Sequence, residues 1–151
     1  CEYLPGREFA WQGVYDSRSV VVASFGRERI EPLFGHLSPS GTSSTPAISR
    51  TLDANDSERV AALGLAAVRV MDETPAGVFG VDMKEDEHRV LRVTEVNAGR
   101  FFTTTRFPLA LGINLPDALL RTARGEPVPE YPVPTPGRLW VRGPDREPVL
   151  L

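Results

Sequence analysis

The chain carries one lysine, Lys84, and one cysteine, Cys1. A lone cysteine excludes an internal disulfide and any zinc site built on paired thiolates, and His36 and His88 stand too far apart to supply histidines at zinc spacing. No apolar run is long enough to span a bilayer and no signal-peptide pattern is present, so the expectation is a soluble protein of the cytoplasm without a membrane partner. No segment recurs at a solenoid period. No nucleophile-elbow pattern surrounds Ser43 or Ser44, which argues against a hydrolase. The loop Ser40-Gly41-Thr42-Ser43-Ser44-Thr45-Pro46 lacks the Gly-Lys-Ser/Thr ending of a P-loop and reads either as a surface loop or, as part of a long loop, as a functional one. A net charge of -3 and a pI near 5.4 provide no broad positive field, so nucleic acid is not an expected partner.

What is present suits one domain. The chain has 151 residues, 41% of them hydrophobic, enough for a sizeable core. Of its 17 basic residues all but Lys84 are arginine, whose planar fork matches carboxylate and phosphate oxygens, although genome composition explains the bias equally well. The 14 prolines and 13 glycines concentrate in loops and in the stretch from about residue 127 onward. Cys1-Glu2-Tyr3-Leu4-Pro5-Gly6 reads as entry into a domain already under way, so the chain is expected to be a piece of a longer enzyme.

β-Branched and aromatic residues predict strands over Glu8 to Val14 and Val20 to Phe25, joined by a hairpin at Tyr15 to Arg18, with a third extended segment from Glu28 to Leu33. Phe34 to Pro46 reads as a loop. Asn55, Asp56 or Ser57 can cap a helix whose apolar positions Val60, Leu63, Ala67 and Met71 follow helical spacing up to Pro75, with Gly64 as an anomaly inside it. Val78 to Met83 and Arg89 to Val96 read as an antiparallel pair. Thr103 to Leu111 and Leu115 to Ala123 read as helices, the second closed by Gly125, before a short strand at Leu139 to Arg142. Trp11 and Trp140 are most simply core or interface aromatics.

Side chains two apart on a strand share a face, so Glu95 and Asn97 can hold a common ligand, and Asp82 on the pairing strand can reach it. Two carboxylates and an amide suit magnesium, which takes few ligands from protein and completes its shell with phosphate and water. The competing reading is a solvated strand face with Asn97 opening a turn.

The run Val93-Thr94-Glu95-Val96-Asn97-Ala98-Gly99-Arg100 resembles the Glu-x-Asn motif of ATP-grasp enzymes, with Gly80-Val81-Asp82 placed like the preceding strand acid. Cys1 to Phe9 resembles the family's adenine-binding hinge and the strand after it. Phe25-Gly26-Arg27-Glu28-Arg29 is similar to the basic strand end facing the phosphates, and Gly112 to Asp117 to a helix entrance of the carbamoyl-phosphate-synthase-like branch. The resemblance implies an α+β fold, the C-terminal lobe of an ATP-grasp module: an antiparallel sheet with helices packed on one face, spanning 1–151. It implies ATP as cofactor with magnesium, or manganese, held by Asp82, Glu95 and Asn97. Glu2 and Leu4 would meet adenine through their backbones, Glu8 the ribose, and Arg29 or Arg27 the terminal phosphates. Arg100, one residue later than the arginine of many relatives, has Arg106 as a rival, and Gly80 stands where some relatives carry a basic residue. The implied activity is carboxylate–amine ligation through an acylphosphate, with a carboxylate and an amine or ammonia as substrates, an N-terminal lobe as partner and self-association of the isolated chain. The alternative is a non-catalytic nucleotide-binding or protein-interaction domain.

Overall fold

The computed structural model describes residues 3–32, 46–143 and 147–151. The chain forms β1 (Glu8–Tyr15), β2 (Val21–Pro32), β3 (Pro46–Thr51), α1 (Ala54–Met71), β4 (Gly77–Glu85), β5 (Leu91–Ala98), α2 (Arg106–Ala110), α3 (Leu115–Arg124), β6 (Leu139–Val141) and β7 (Val149–Leu150). The strands make one seven-stranded sheet in the order β5-β4-β1-β2-β3-β6-β7, every neighbouring pair antiparallel. The architecture is α+β, as the sequence leads one to expect.

Two hairpins are built the same way. Asp16 Oδ1 accepts the backbone N–H groups of Arg18 and Val20, both at 2.9 Å, and Asp86 Oδ1 accepts those of His88 and Val90 at the same distance. Each turn closes on a residue of positive φ, Ser19 at 63° and Arg89 at 61°. An aspartate that bonds the backbone two and four residues on makes such a turn without glycine.

Several boundaries differ from expectation, each for a local reason. The two extended segments read after Tyr15 are one strand, β2, because a single ladder to β1 runs from Val21 to Arg29. The helix α1 begins earlier, with Asp53 as N-cap accepting the N–H of Asp56 at 2.8 Å, so none of Asn55, Asp56 and Ser57 is the cap. Of the helix read over Thr103 to Leu111 only α2's five residues form, following a turn in which Thr105 Oγ1 donates to the Phe102 carbonyl. β3 and β7 carry too few apolar alternations to be foreseen. The Ser40–Pro46 loop and His36 lie outside the described residues, apart from Pro46 at the start of β3.

Alternation along β1 divides the core. Phe9, Trp11 and Tyr15 point to one face, where α1 brings Val60 and Val68 against them and Val81 and Met83. Val14 points to the other, with Ala23, Phe25 and Val78, beneath Phe107 of α2, Leu115 and Ala118 of α3, and Trp140. The expectation placed the helices on one face; α1 covers that face, while α2 and α3 cover half of the opposite one. Both tryptophans are buried.

Gly64 is explained by contact. A Cβ there would lie 2.7 Å from Trp11 Cδ2, so α1 rests directly on the indole. Helix propensity alone would make Gly64→Ala stabilising by about 1 kcal/mol. Overpacking should win instead, leaving the variant about 1–3 kcal/mol less stable in urea denaturation. A gain in stability would place α1 farther from the sheet.

Beneath the start of α1 lies an ion-pair network. Arg7 donates to Glu28 Oε1 at 2.8 Å and to Asp56 Oδ2 at 2.6 Å, Arg59 to Asp56 Oδ1 at 2.7 Å and to Glu85, and Arg50 to Glu28 Oε2 at 2.6 Å. The Arg7 and Arg59 guanidinium groups also lie 4.7 and 5.1 Å from the Phe9 ring centroid. Burial by itself raises the pKa of Glu28 and Asp56, but hydrogen bonds from the arginines outweigh it and hold both below the ordinary carboxylate range. A depressed folded-state pKa stabilises the fold at pH above the unfolded value and is lost as pH falls through the folded one. Stability should therefore be level near neutrality and fall below about pH 4. Glu28→Gln should flatten part of that fall and cost about 1–3 kcal/mol at pH 7. An unchanged pH profile in chemical denaturation would remove the network from the stability account.

Candidate functional site

The half of the second sheet face that α2 and α3 leave open carries charge instead of apolar side chains. On β1 this face presents Glu8, Ala10 and Gln12. β2 sets Arg29 and Arg27 opposite the first two, and β4 sets Lys84, Asp82 and Gly80 opposite all three. β5 then places Glu95 across from Asp82 and Asn97 across from Gly80. A bulge makes this possible. Between Asp82↔Glu95 and Met83↔Val93, β5 contributes one extra residue, Thr94, and the pairing slips. Leu91 and Val96 therefore both pack toward the α1 core, although five positions apart, while Glu95 and Asn97 are aimed at the charged face.

Arg29 sits at the centre, 9% exposed, donating Nη1 to Glu8 Oε1 at 2.8 Å and Nη2 to Asp82 Oδ1 at 2.7 Å. Burial pushes the Asp82 carboxyl above its ordinary range; Arg29 and then Arg27 pull it down but do not cancel the shift, and Glu95 and Glu8 add to it. Arg27 is buried, with its pKa pushed down to about 9 by burial and by the neighbouring Arg29, so it remains a cation at neutral pH. Among the described residues its guanidinium finds no hydrogen-bond acceptor, and its Nε is buried without a partner. Asn97 Oδ1 accepts from Arg100 Nε at 3.0 Å and from Arg100 Nη2, and Arg100 Nη2 lies 3.8 Å from Glu95. The Asn97 Nδ2 is buried without a partner.

The structure thus brings Glu8, Arg27, Arg29, Asp82, Glu95, Asn97 and Arg100 onto one face. Arg106 is elsewhere, exposed and 2.7 Å from Glu147. Leu4 is half-buried in the segment leading into β1, and Glu2 lies outside the described residues. His88 is exposed in its hairpin, 3.6 Å from Glu87.

Two groups escape the sequence reading. Gln12, 2% exposed, donates Nε2 to the Arg100 carbonyl at 3.2 Å, with the Phe102 N–H 3.5 Å from its Oε1. It is the one polar side chain inside the Phe9–Tyr15 run, which is the only signal it offers. Phe102 lays its ring over Gly80, 4.8 Å from the Arg27 guanidinium and 5.8 Å from that of Arg29. Nothing in the sequence distinguishes it from Phe101.

Among the described residues no three histidine, cysteine, aspartate or glutamate side chains cluster as a metal site. The oxygen donors here are Asp82 and Glu95 with the Asn97 amide. That set fits a hard divalent cation that completes its shell from phosphate and water, and does not fit a closed site for a soft metal. Beside it, at the strand ends, opens a cavity of about 650 Å³ lined by Gly6, Glu8, Arg29 and Lys84. Another cavity, about 550 Å³, lies at the free edge of β2 between Trp11, Ser57 and Pro132, away from these charges.

No protein-family model and no curated protein matches the sequence. Solved structures do match the fold. A biotin carboxylase from Campylobacter jejuni, in complex with β,γ-ATP, aligns over 93% of this chain and 31% of its own, at 15% identity and a TM-score of 0.69. N5-carboxyaminoimidazole synthetase from Staphylococcus aureus, complexed with ADP, aligns over 93% and 36%, at 14% identity and a TM-score of 0.64. Carboxyaminoimidazole ribonucleotide synthase from Aspergillus clavatus, complexed with ATP, aligns over 93% and 35%, at 18% identity and a TM-score of 0.62. The fold is that of ATP-grasp enzymes. The chain spans about a third of the length of these solved structures. No helix of the described residues is long and apolar enough to cross a membrane.

Proposed function

We propose that the chain forms the nucleotide- and metal-binding side of an ATP-grasp ligase that joins a carboxylate to an amine or ammonia, its C-terminal lobe, in the carbamoyl-phosphate-synthase-like branch. The observation that carries this reading is the open sheet face on which two low-exposure arginines meet Asp82, Glu95 and Asn97. Arginines also meet carboxylates on the α1 face, but there Arg7 and Arg59 are each bonded to two of them, whereas here Arg27 has no acceptor among the described residues, and a polyphosphate with divalent metal needs both signs side by side.

Asp82 and Glu95, with Asn97 Oδ1, would hold magnesium or manganese, which when bound shields the phosphate oxygens as charge builds during transfer. Arg29 holds Glu8 and Asp82 in fixed positions, so Asp82 is oriented before any ligand arrives. Arg27 offers a guanidinium that no described residue hydrogen-bonds, suited to the terminal phosphate. Arg100 covers the Asn97 Oδ1 and would have to release it for a metal ion to be held there. Glu8 stands beside the strand-end cavity, where it would reach a ribose hydroxyl while still bonded to Arg29. In the ligase reaction a carboxylate attacks the terminal phosphorus, ADP leaves, and the amine displaces phosphate from the acylphosphate.

Because the chain spans about a third of comparable enzymes, the opposite wall of the cleft would come from another segment or chain. Water then stays on the phosphates and each charged contact is weak. The 151 residues alone are expected to bind Mg-ATP at about millimolar affinity or worse, near 4 kcal/mol or less, and to ligate nothing. Titration calorimetry with and without magnesium tests this, using 2′-deoxy-ATP for comparison in Glu8→Ala. A loss of affinity larger for ATP than for the deoxynucleotide supports Glu8 at the ribose. Absence of any magnesium-dependent ATP binding, with tight capture of a protein partner instead, would favour the non-catalytic interaction domain.

A further inference from the structure

The sheet carries the same device on both faces, closed on one and open on the other. On the α1 face the Phe9 ring has two guanidinium groups against it, Arg7 and Arg59, and each is bonded to two carboxylates. On the charged face the Phe102 ring likewise has two, Arg27 and Arg29. Arg29 is bonded to Glu8 and Asp82, but Arg27, 2% exposed, has no acceptor among the described residues. A buried cation with no anion hydrogen-bonded to it is costly, and it persists only where something replaces part of its lost hydration. The aromatic face does so without neutralising the charge.

The ring is held there from several directions. A Cβ on residue 80 would come within 2.6 Å of Phe102 Cζ, so only glycine leaves room for the ring above β4. The Phe102 carbonyl accepts the Thr105 N–H at 3.1 Å and the Thr105 hydroxyl at 2.5 Å, and the Phe102 N–H lies 3.5 Å from Gln12 Oε1. Gly80, Gln12 and Thr105 thus serve one placement.

We infer that Phe102 is a positioning residue: its ring, seated on Gly80, holds Arg27 beside Arg29 with its charge uncommitted, and so makes Arg27 the first contact for a phosphate chain at this site. The inference rests on the proposed nucleotide site but concerns only its anion-binding half, which an inorganic polyphosphate can probe without adenine or ribose. Replacement by leucine keeps much of the apolar bulk and removes the ring's negative face. Arg27 is then free to swing toward Asp82 or Glu95, and a ligand must first separate that pair.

The test is titration of the 151-residue chain with inorganic tripolyphosphate, followed by chemical shifts, for Phe102→Leu, Phe102→Tyr, Arg27→Met and the Phe102→Leu/Arg27→Met double variant. Phe102→Leu should weaken binding by about tenfold, in line with a desolvated cation–π contact, while Phe102→Tyr stays within about twofold. In the Arg27→Met background Phe102→Leu should change nothing further, because the ring acts through Arg27. Gly80→Ala, which displaces the ring without removing it, should reproduce the loss and serves if Phe102→Leu does not fold. The inference is overturned if wild type does not bind tripolyphosphate, if Phe102→Leu or, should it not fold, Gly80→Ala binds as wild type does, or if the Phe102→Leu loss persists in the double variant. Failure of the nucleotide reading looks different: tripolyphosphate binding still depends on Phe102, but ATP binds no better than tripolyphosphate and Glu8→Ala affects neither.

Discussion

On the proposed ligase reading, Glu95→Gln in an enzyme assembled with the rest of an ATP-grasp module is expected to lower turnover by about 10²–10³-fold, comparable to losing one preorganised contact to developing charge. Glutamine keeps the shape and one oxygen, so the sheet should tolerate it: Glu95 is exposed at the β5 edge and its Arg100 contact is long, at 3.8 Å. What is lost is a formal negative charge across the strand from Asp82, leaving one carboxylate and an amide for the proposed metal. The magnesium concentration needed for half-maximal rate should rise together with the fall in rate. Near-normal turnover with an unchanged magnesium requirement would take Glu95 out of the metal site.

The largest effect on stability is expected at Arg29. At 9% exposure it is the least exposed of the ion-paired arginines among the described residues, and its removal leaves Asp82, 13% exposed, without its hydrogen bond. Arg29→Met keeps the stem and should cost about 3–5 kcal/mol at pH 7, the usual consequence of breaking a buried pair from one side. Asp82 is already raised by burial, and without Arg29 it rises further. A carboxyl raised above its unfolded value favours the fold at pH below that unfolded value, and the benefit disappears as pH rises through the folded one. The deficit of Arg29→Met relative to wild type should therefore shrink as pH falls through the raised value, and Arg29→Met/Asp82→Asn should recover part of it at pH 7. Guanidinium denaturation at two pH values measures this. A pH-independent deficit with no recovery in the double variant would mean that Arg29 acts by packing alone.

Much of this was legible along the chain because it is local. β-Branched and aromatic residues over Glu8 to Val14 mark a strand, though not its burial on both faces; the helical spacing of Val60, Leu63 and Ala67 encodes α1; Gly125, at φ 69°, ends α3 where a left-handed residue costs least. The resemblance of Glu95-x-Asn97 to a metal motif is also local, since one strand holds both residues. The extent of α2 was not legible, because turn bonds made by Thr105 compete with helix in a way composition does not reveal.

The sequence by itself determined the strand and helix periods and the hairpin aspartates, set by interactions within a few positions, and it offered the candidate residues of the charged face other than Gln12 and Phe102. Only the tertiary structure decided how those residues meet. The Thr94 bulge turns Glu95 and Asn97 toward Asp82; Gly80 matters because Phe102, 22 residues later, needs the space; Gly64 sits in a helix because Trp11 lies beneath it. Whether Arg27 or Arg29 carries a free charge depends on which carboxylates the β1, β2 and β4 registers bring within reach, and register is a property of paired strands that no single strand contains.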